Sequence, residues 1–134
     1  MNQILDRLYL GCIENAYQAA SPITVILNLC EHGYESPLLV IHAPMPDEVF
    51  LPAWEWQSRL HALGMLLQNR HSVLVHCRLG VSRSPALVTA YLASVGWCLE
   101  QARLVVRARR SCVNIHPETW RGVEEWWTHQ GHRA

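Results

Sequence analysis

A cysteine, a glycine and an arginine stand close together in the stretch 76-HCRLGVSRSP-85. The residues that lead into it, 72-SVLVH-76, are mostly apolar and β-branched, which indicates a buried strand. Residues 84–95, which follow, carry no charge, which indicates a helix in the core. Backbone N–H groups in such a strand-to-helix loop can converge on an anion, and the helix dipole adds roughly half a positive charge. The stretch therefore predicts an anion-binding loop.

Four side chains and one glycine give this loop its chemistry. Cys77 lies where the dipoles that favour a bound anion also favour a thiolate, so we predict a nucleophile rather than a packed apolar residue. Arg83 supplies a planar fork that can bind two phosphate oxygens. Ser84 would donate a hydrogen bond to the thiolate, and His76 would orient the loop from behind rather than act as a base. Gly80 permits the positive φ that a tight loop often needs.

Hydrophobic patterning predicts the elements that position the loop. Further strands are predicted at 23-ITVILNL-29, 38-LLVIHA-43 and, more weakly, 7-RLYL-10. Helices are predicted over 53–69, 84–95 and 99–110 and from Pro117 onward, with Gly96 ending the second. Strands that alternate with helices indicate one α/β domain with a mostly parallel sheet covered by helices on both sides. Cys77 then lies at the carboxyl end of a central strand, where such sheets bind their ligands.

Composition limits the partners and the compartment. The chain has 134 residues, and its 11 basic and 11 acidic side chains cancel, so no overall field attracts nucleic acid or a membrane. A signal peptide and a membrane span are not expected from the apolar runs. Five cysteines without a CxxC pair fit neither a disulfide scaffold nor a structural zinc site. We therefore expect a cytoplasmic monomer that binds neither membranes nor nucleic acid.

The motif 76-HCRLGVSRS-84 resembles the signature loop of the cysteine-dependent protein tyrosine phosphatase superfamily, and the short chain resembles its dual-specificity branch. The likeness extends to 7-RLYLGC-12, 25-VILNLCE-31, 44-PMPD-47 and 109-RRSCVNIHP-117. It implies one catalytic domain over residues 1–134, with a mixed, largely parallel sheet of about five strands between helices. Cys77, Arg83 and Ser84 match the motif directly. The amides of the loop members would bind the phosphate, namely those of Arg78, Leu79, Gly80, Val81 and Ser82.

The resemblance also implies an aspartate upstream of the loop. The oxygen that leaves phosphorus needs a proton donor, because an alkoxide or phenolate leaves poorly without one. Asp47 follows the predicted strand at 38–43, in a proline-flanked loop where the resembling family keeps its general acid. Two alternatives stay open: Asp47 caps the helix near Pro52, or Glu48 is the acid.

Together these residues predict a phosphomonoester hydrolase that acts on phosphotyrosine, with phosphoserine and phosphothreonine of proteins as further candidates. Cys77 would form a phosphocysteine that Asp47 helps water to hydrolyse, without metal or cofactor. The same chemistry on a phosphoinositide or an RNA 5′-phosphate remains an alternative, although only Arg78 adds to the basic charge of the loop. The motif is also compatible with a phosphate-binding pseudo-enzyme and, less well, with a rhodanese-like sulfur transferase.

Cys30 ends the predicted strand 25–30, beside the central strand, and should come close to Cys77. A nearby thiol can trap an oxidised thiolate as a disulfide, and some lipid and protein phosphatases of the resembling superfamily carry such a resolving cysteine. Simple packing of Cys30 is the alternative.

Arg103, Arg107 and Arg110 recur at helical spacing. Such a row usually forms a solvated charged face, which is our expectation here. Docking of an acidic or second phosphate group is the alternative.

Overall fold

The computed structural model describes residues 1–131. Over these residues the chain forms five strands and five helices, and the last three elements are all helices. They are β1 (Asn2–Leu5), β2 (Leu8–Gly11), α1 (Ile13–Tyr17), β3 (Val25–Asn28), β4 (Leu39–His42), α2 (Ala53–Gln68), β5 (Val73–His76), α3 (Arg83–Ser94), α4 (Leu99–Arg109) and α5 (Pro117–His129).

The strands form one mixed, mostly parallel sheet in the order β1-β2-β5-β3-β4. β1 pairs antiparallel with β2, and the other pairs are parallel. β5 is central, and its last residue, His76, lies level with Gly11 on one side and Asn28 on the other. The carboxyl ends of β2, β5 and β3 therefore meet at one edge, and this confirms the predicted fold class.

Alternate residues of the strands enter two separate cores, as a pleated sheet requires. On one face, Leu27 and Val75 pack with residues of α2, α3, α4 and α5 in the larger core. On the other face, Ile26 and Leu74 pack with Ala16 of α1 in a small cluster. The helical cover is thus uneven, because α1 is short and loops complete its side. α3 is buried along most of its length, which the lack of charge over residues 84–95 predicted.

The predicted helices are confirmed, and two short elements were missed. Val95 caps the end of α3, Gly96 follows with φ +115°, and Pro117 is the first residue of α5. β1 joins two polar residues to two apolar ones, and α1 spans only 5 residues, so neither shows an apolar run or a helical period. Within residues 1–131, no helix combines the length and the apolar character needed to cross a membrane.

Candidate active site

The loop between β5 and α3 turns its carbonyl groups away from the cavity that it borders. Each of four successive carbonyls accepts a hydrogen bond from another part of the chain: Arg78 O from Ile13 N at 3.1 Å, Leu79 O from Arg110 Nη2 at 3.2 Å, Gly80 O from Arg110 Nε at 2.9 Å, and Val81 O from Asn114 N at 2.8 Å. In a planar trans peptide the C=O and the N–H point in opposite directions. The N–H groups of residues 79–82 are therefore directed to the inner side of the loop.

Gly80 occupies a position that excludes other residue types. Its φ is +69°, and a Cβ built there would lie 2.5 Å from Gly11 O and 2.7 Å from Arg110 Nη2. The glycine therefore serves two purposes, because it adopts the left-handed backbone and leaves space for the groups packed behind the loop.

Cys77 lies at the base of the loop against the first turn of α3. Its Sγ is 3.1 Å from Ser84 Oγ, and Ser84 N donates to the same sulfur at 3.4 Å. Both donors would stabilise a thiolate, and Ser84 N belongs to the positive end of the α3 dipole. The structure thus brings Cys77 and Ser84 together at the predicted anion site.

Arg83 is buried at the start of α3, and acidic side chains surround its guanidinium. Nη1 donates to Glu31 Oε1 at 2.8 Å and to Met45 O at 3.0 Å, and Nε lies 3.6 Å from Asp47 Oδ1. The pKa of the Glu31 carboxyl is lowered, first by a hydrogen bond from the backbone N–H of Glu31 and then by the charge of Arg83. Glu31 was missed in the sequence, although it follows β3, whose carboxyl end lies beside that of β5.

Asp47 lies in an exposed turn after β4 and borders the cavity beside the loop. α2 begins after Pro52, which occupies the N-cap position, so Asp47 does not serve as that cap. Glu48 follows with φ +58° and also borders the cavity. The two candidate acids therefore lie side by side at the cavity rim, but only Asp47 also pairs with Arg83.

The cavity above Cys77 has a volume of about 460 Å³. Its lining comprises Asp47, Glu48, Cys77, Arg78, Leu79, Val81, Ser82, Arg83, Asn114, Ile115, His116 and Pro117. The segment before α5 thus forms one wall, and Ser82 Oγ holds it by accepting from His116 N at 2.9 Å. The participation of Asn114 and His116 was missed, although both lie inside the stretch 109–117 that carries part of the family resemblance.

His76 lies behind the loop and is completely buried. Nδ1 is 3.1 Å from Cys77 O, and Nε2 is 2.8 Å from Tyr34 Oη. A carbonyl oxygen only accepts, so Nδ1 carries the proton and Nε2 accepts from the tyrosine. Burial lowers the pKa of His76 and raises the pKa of Tyr34 to about 12, which keeps the ring neutral and the phenol protonated. This position suits a residue that orients the loop.

Cys30 is buried just beyond β3, and its Sγ lies 3.9 Å from His76 Nδ1. The structure therefore places Cys30 beside the residue that precedes Cys77. Burial raises the pKa of the Cys30 thiol.

The expected solvated row of Arg103, Arg107 and Arg110, on α4 and at its C-cap, is wrong for two of its three members. Arg103 stacks on the Trp120 ring at 4.1 Å, and Arg110 binds the loop carbonyls. Arg107 is exposed as expected. Helical spacing cannot predict this division, because it depends on which other segments pack beside each residue.

Comparisons with known proteins identify the family. Residues 8–129 match the family described as "Dual specificity phosphatase, catalytic domain". Human dual specificity protein phosphatase 22 is 32% identical over 147 residues, which cover 99% of this chain and 77% of that protein. Protein-tyrosine-phosphatase IBR5 of Arabidopsis thaliana is 31% identical over 127 residues, 89% of this chain and 48% of that protein. The chain thus spans about half the length of IBR5.

Solved structures of similar fold agree with this match. Human DUSP28 superposes with a TM-score of 0.83 at 20% identity, covering 98% of both chains. The human tyrosine phosphatase-like serine/threonine/tyrosine-interacting protein superposes with a TM-score of 0.84 at 24% identity, also over 98% of both. At these identities the structures show the fold alone. The family match and the curated relatives show that the chain belongs to the dual specificity phosphatase family of protein phosphatases, and they confirm the resemblance seen in its signature loop.

Proposed function

We propose that this chain hydrolyses phosphotyrosine, and with it phosphoserine and phosphothreonine, in proteins through a phosphocysteine intermediate. The observation that carries the proposal is the position of Cys77 Sγ, bonded to Ser84 at the base of a loop whose carbonyls are all held outward. Such a loop can bind the three non-bridging oxygens of a phosphate through its amides. The sulfur then lies behind phosphorus, in line with the leaving oxygen.

The proposed reaction has two steps. The Cys77 thiolate attacks phosphorus, the bond to the leaving oxygen breaks, and Asp47 gives that oxygen its proton. Water then attacks the phosphocysteine, Asp47 takes a proton from it, and the thiolate leaves with hydrogen bonds from Ser84. Arg83 has Nη1 held by Glu31 and Met45, and its Nε lies 3.6 Å from Asp47 Oδ1, so Nη2 is the nitrogen that a phosphate would meet first.

The charges at the rim support a protein substrate. Asp47 and Glu48 border the cavity on one side, and Arg78 is the exposed basic residue of the loop. Two carboxylates would repel the additional phosphates of a phosphoinositide headgroup or an RNA backbone. A phosphorylated side chain of a protein carries one phosphate, so it has no additional phosphates for these carboxylates to repel.

A cytoplasmic location and a monomeric state complete the proposal. All five cysteines are free in the part of the chain that the structure describes, which suits a reducing compartment. The proposed mechanism uses residues of one chain only, so it needs no second copy.

A substrate panel with three variants tests the proposal. The wild type should release phosphate from phosphotyrosine peptides and from p-nitrophenyl phosphate, and it should act poorly on phosphoinositide vesicles and on RNA with a 5′-phosphate. Cys77→Ser should be inactive, whereas Cys98→Ser, at an exposed cysteine, should match the wild type.

Asp47→Asn supplies the second arm, because the need for an acid depends on the leaving group. Its kcat should fall by about 10²- to 10⁴-fold on phosphoserine, and by less on p-nitrophenyl phosphate, whose leaving group needs little protonation. Full activity of Cys77→Ser would overturn the mechanism, and an equal loss on both substrates would remove Asp47 as the acid.

A further inference from the structure

Arg110 joins three separate segments behind the phosphate loop. It follows α4, and its Nε and Nη2 donate to the carbonyls of Gly80 and Leu79 at 2.9 and 3.2 Å. Its Nη1 donates to Asn2 Oδ1 at 2.9 Å, on the first residue of β1. The guanidinium therefore holds two successive loop peptides and is itself held by the N-terminal strand.

We propose that Arg110 is a positioning residue that sets the direction of the phosphate-binding amides, an inference that rests on the proposed function. The carbonyl of Leu79 shares a peptide plane with the N–H of Gly80, and the carbonyl of Gly80 shares one with the N–H of Val81. Because each peptide is planar, holding the two carbonyls outward holds the two N–H groups inward. Arg110 thus acts on the substrate through the loop, and it is not one of the residues that line the cavity.

The guanidinium suits this task better than an ammonium group would. Its planar fork offers donors at a fixed separation, so one side chain can hold two neighbouring acceptors in one orientation. A lysine is a point charge on a flexible stem and fixes no such pair. The positive charge behind the loop also adds to the potential that an incoming phosphate meets.

Gly80 and Asn2 complete the arrangement. A Cβ at position 80 would lie 2.7 Å from Arg110 Nη2, so the guanidinium can approach only because the residue is glycine. The side-chain oxygen of Asn2, Oδ1, accepts from the third nitrogen, Nη1, and orients it. Replacement of Asn2 should therefore loosen Arg110 without removing any group from the loop.

A purely structural role predicts a different result from a positioning role. If Arg110 only joined α4 and β1 to the loop, its loss would lower the melting temperature but leave the folded enzyme fully active. If it directs the amides, the folded protein binds phosphate weakly at any temperature. Affinity for orthovanadate, measured well below the melting temperature, separates the two.

The experiment compares Arg110→Ala, Arg110→Lys and Asn2→Ala with Arg107→Ala, a control at an exposed arginine of α4, the helix that Arg110 follows. Vanadate affinity is measured by calorimetry, and kcat/KM is measured with p-nitrophenyl phosphate as substrate. Both measurements use protein shown to be folded by circular dichroism. Removal of one oxyanion donor typically costs about 10²-fold or more, so misdirecting two should cost Arg110→Ala at least about tenfold in both quantities.

The variants differ in the expected degree of loss. Arg110→Lys should recover little, Asn2→Ala should lose a few-fold, and Arg107→Ala should stay within about twofold of the wild type. Millimolar ethylguanidinium should restore part of the activity of Arg110→Ala. A folded Arg110→Ala protein with vanadate affinity within about twofold of the wild type would overturn the inference. If Arg110→Ala does not fold, unchanged vanadate affinity in both Arg110→Lys and Asn2→Ala would do so.

These outcomes are distinct from failure of the proposed function. A wild type that hydrolyses no phosphoester would refute the proposed activity alone, because vanadate binding by the same variants still tests Arg110. A wild type that is active, with an Arg110→Ala variant equally active, would refute the positioning role alone.

Discussion

Replacement of Gly80 by alanine tests the geometry of the phosphate loop most directly. The residue has φ +69°, and the new Cβ would lie 2.5 Å from the backbone oxygen of Gly11 and 2.7 Å from Arg110 Nη2. Backbone cannot move aside as a flexible side chain can, so the loop itself must shift. We therefore expect Gly80→Ala to lower both stability and phosphate affinity.

The magnitude has two parts. A non-glycine residue in the left-handed region costs about 1–2 kcal/mol. Forcing an extra carbon into a packed site costs about 1–3 kcal/mol more. The free energy of unfolding should therefore fall by roughly 2–5 kcal/mol, which for a chain of this size lowers the melting temperature by about 7–18 °C.

Two other glycines make matched controls. Gly96 has φ +115° with nothing within 4 Å of an added Cβ, so Gly96→Ala should show the backbone cost without the clash. Gly64 lies inside α2, and its Cβ would meet only Tyr91 Cε1 at 3.9 Å, so Gly64→Ala should gain about 0.5–1 kcal/mol. Thermal unfolding by circular dichroism and vanadate affinity give the two readouts. A Gly80→Ala protein no less stable than Gly96→Ala, with wild-type vanadate affinity, would refute the reasoning.

Three further predictions concern the groups around the nucleophile. Ser84→Ala removes the 3.1 Å contact with Cys77 Sγ, so breakdown of the phosphocysteine should slow by about 10- to 100-fold. A burst of p-nitrophenol should then appear in stopped flow, and linear kinetics without a burst would argue against this role. A backbone N–H and then Arg83 lower the folded-state pKa of Glu31, so its charged carboxylate contributes stability above the ordinary value of 4.5, and this contribution is lost as pH falls through the folded pKa. Glu31→Gln should therefore weaken the acid dependence of the melting temperature, and an unchanged profile would contradict the assignment. After peroxide oxidises Cys77 to its sulfenic acid, we propose that the Cys30 thiol attacks that sulfur, forms a disulfide and releases water; because burial raises the pKa of Cys30, the disulfide should form faster as pH rises, and peptide mass spectrometry that links Cys77 elsewhere would exclude the role.

Much of the site could be predicted because its central residues are contiguous. Cys77, Gly80, Arg83 and Ser84 belong to one strand-to-helix connection, and the apolar runs on either side reveal where that connection lies. Asp47 lies outside this connection, and its prediction as the acid rested on the family resemblance. No local pattern required it to approach Arg83, which happens because β4 and β3 are neighbours in the sheet.

Several contacts of the loop lie in stretches that carry the family resemblance, but no local pattern of apolar or charged residues indicated them. Glu31, Arg110 and Asn114 each reach the loop from a different segment, and the helical spacing of Arg110 even suggested a solvated surface. β1 was missed because two of its four residues are polar and it forms no apolar run, yet its Asn2 orients Arg110.

The sequence by itself determined which atoms can react and that they share one loop, because strand and helix patterns are local properties of the chain. Only the tertiary structure decided which way the loop peptides face. Four carbonyls are held outward by partners from the start of α1, the end of α4 and the segment before α5. A backbone group in a loop has no partner of its own, so its direction depends on whatever the fold brings beside it.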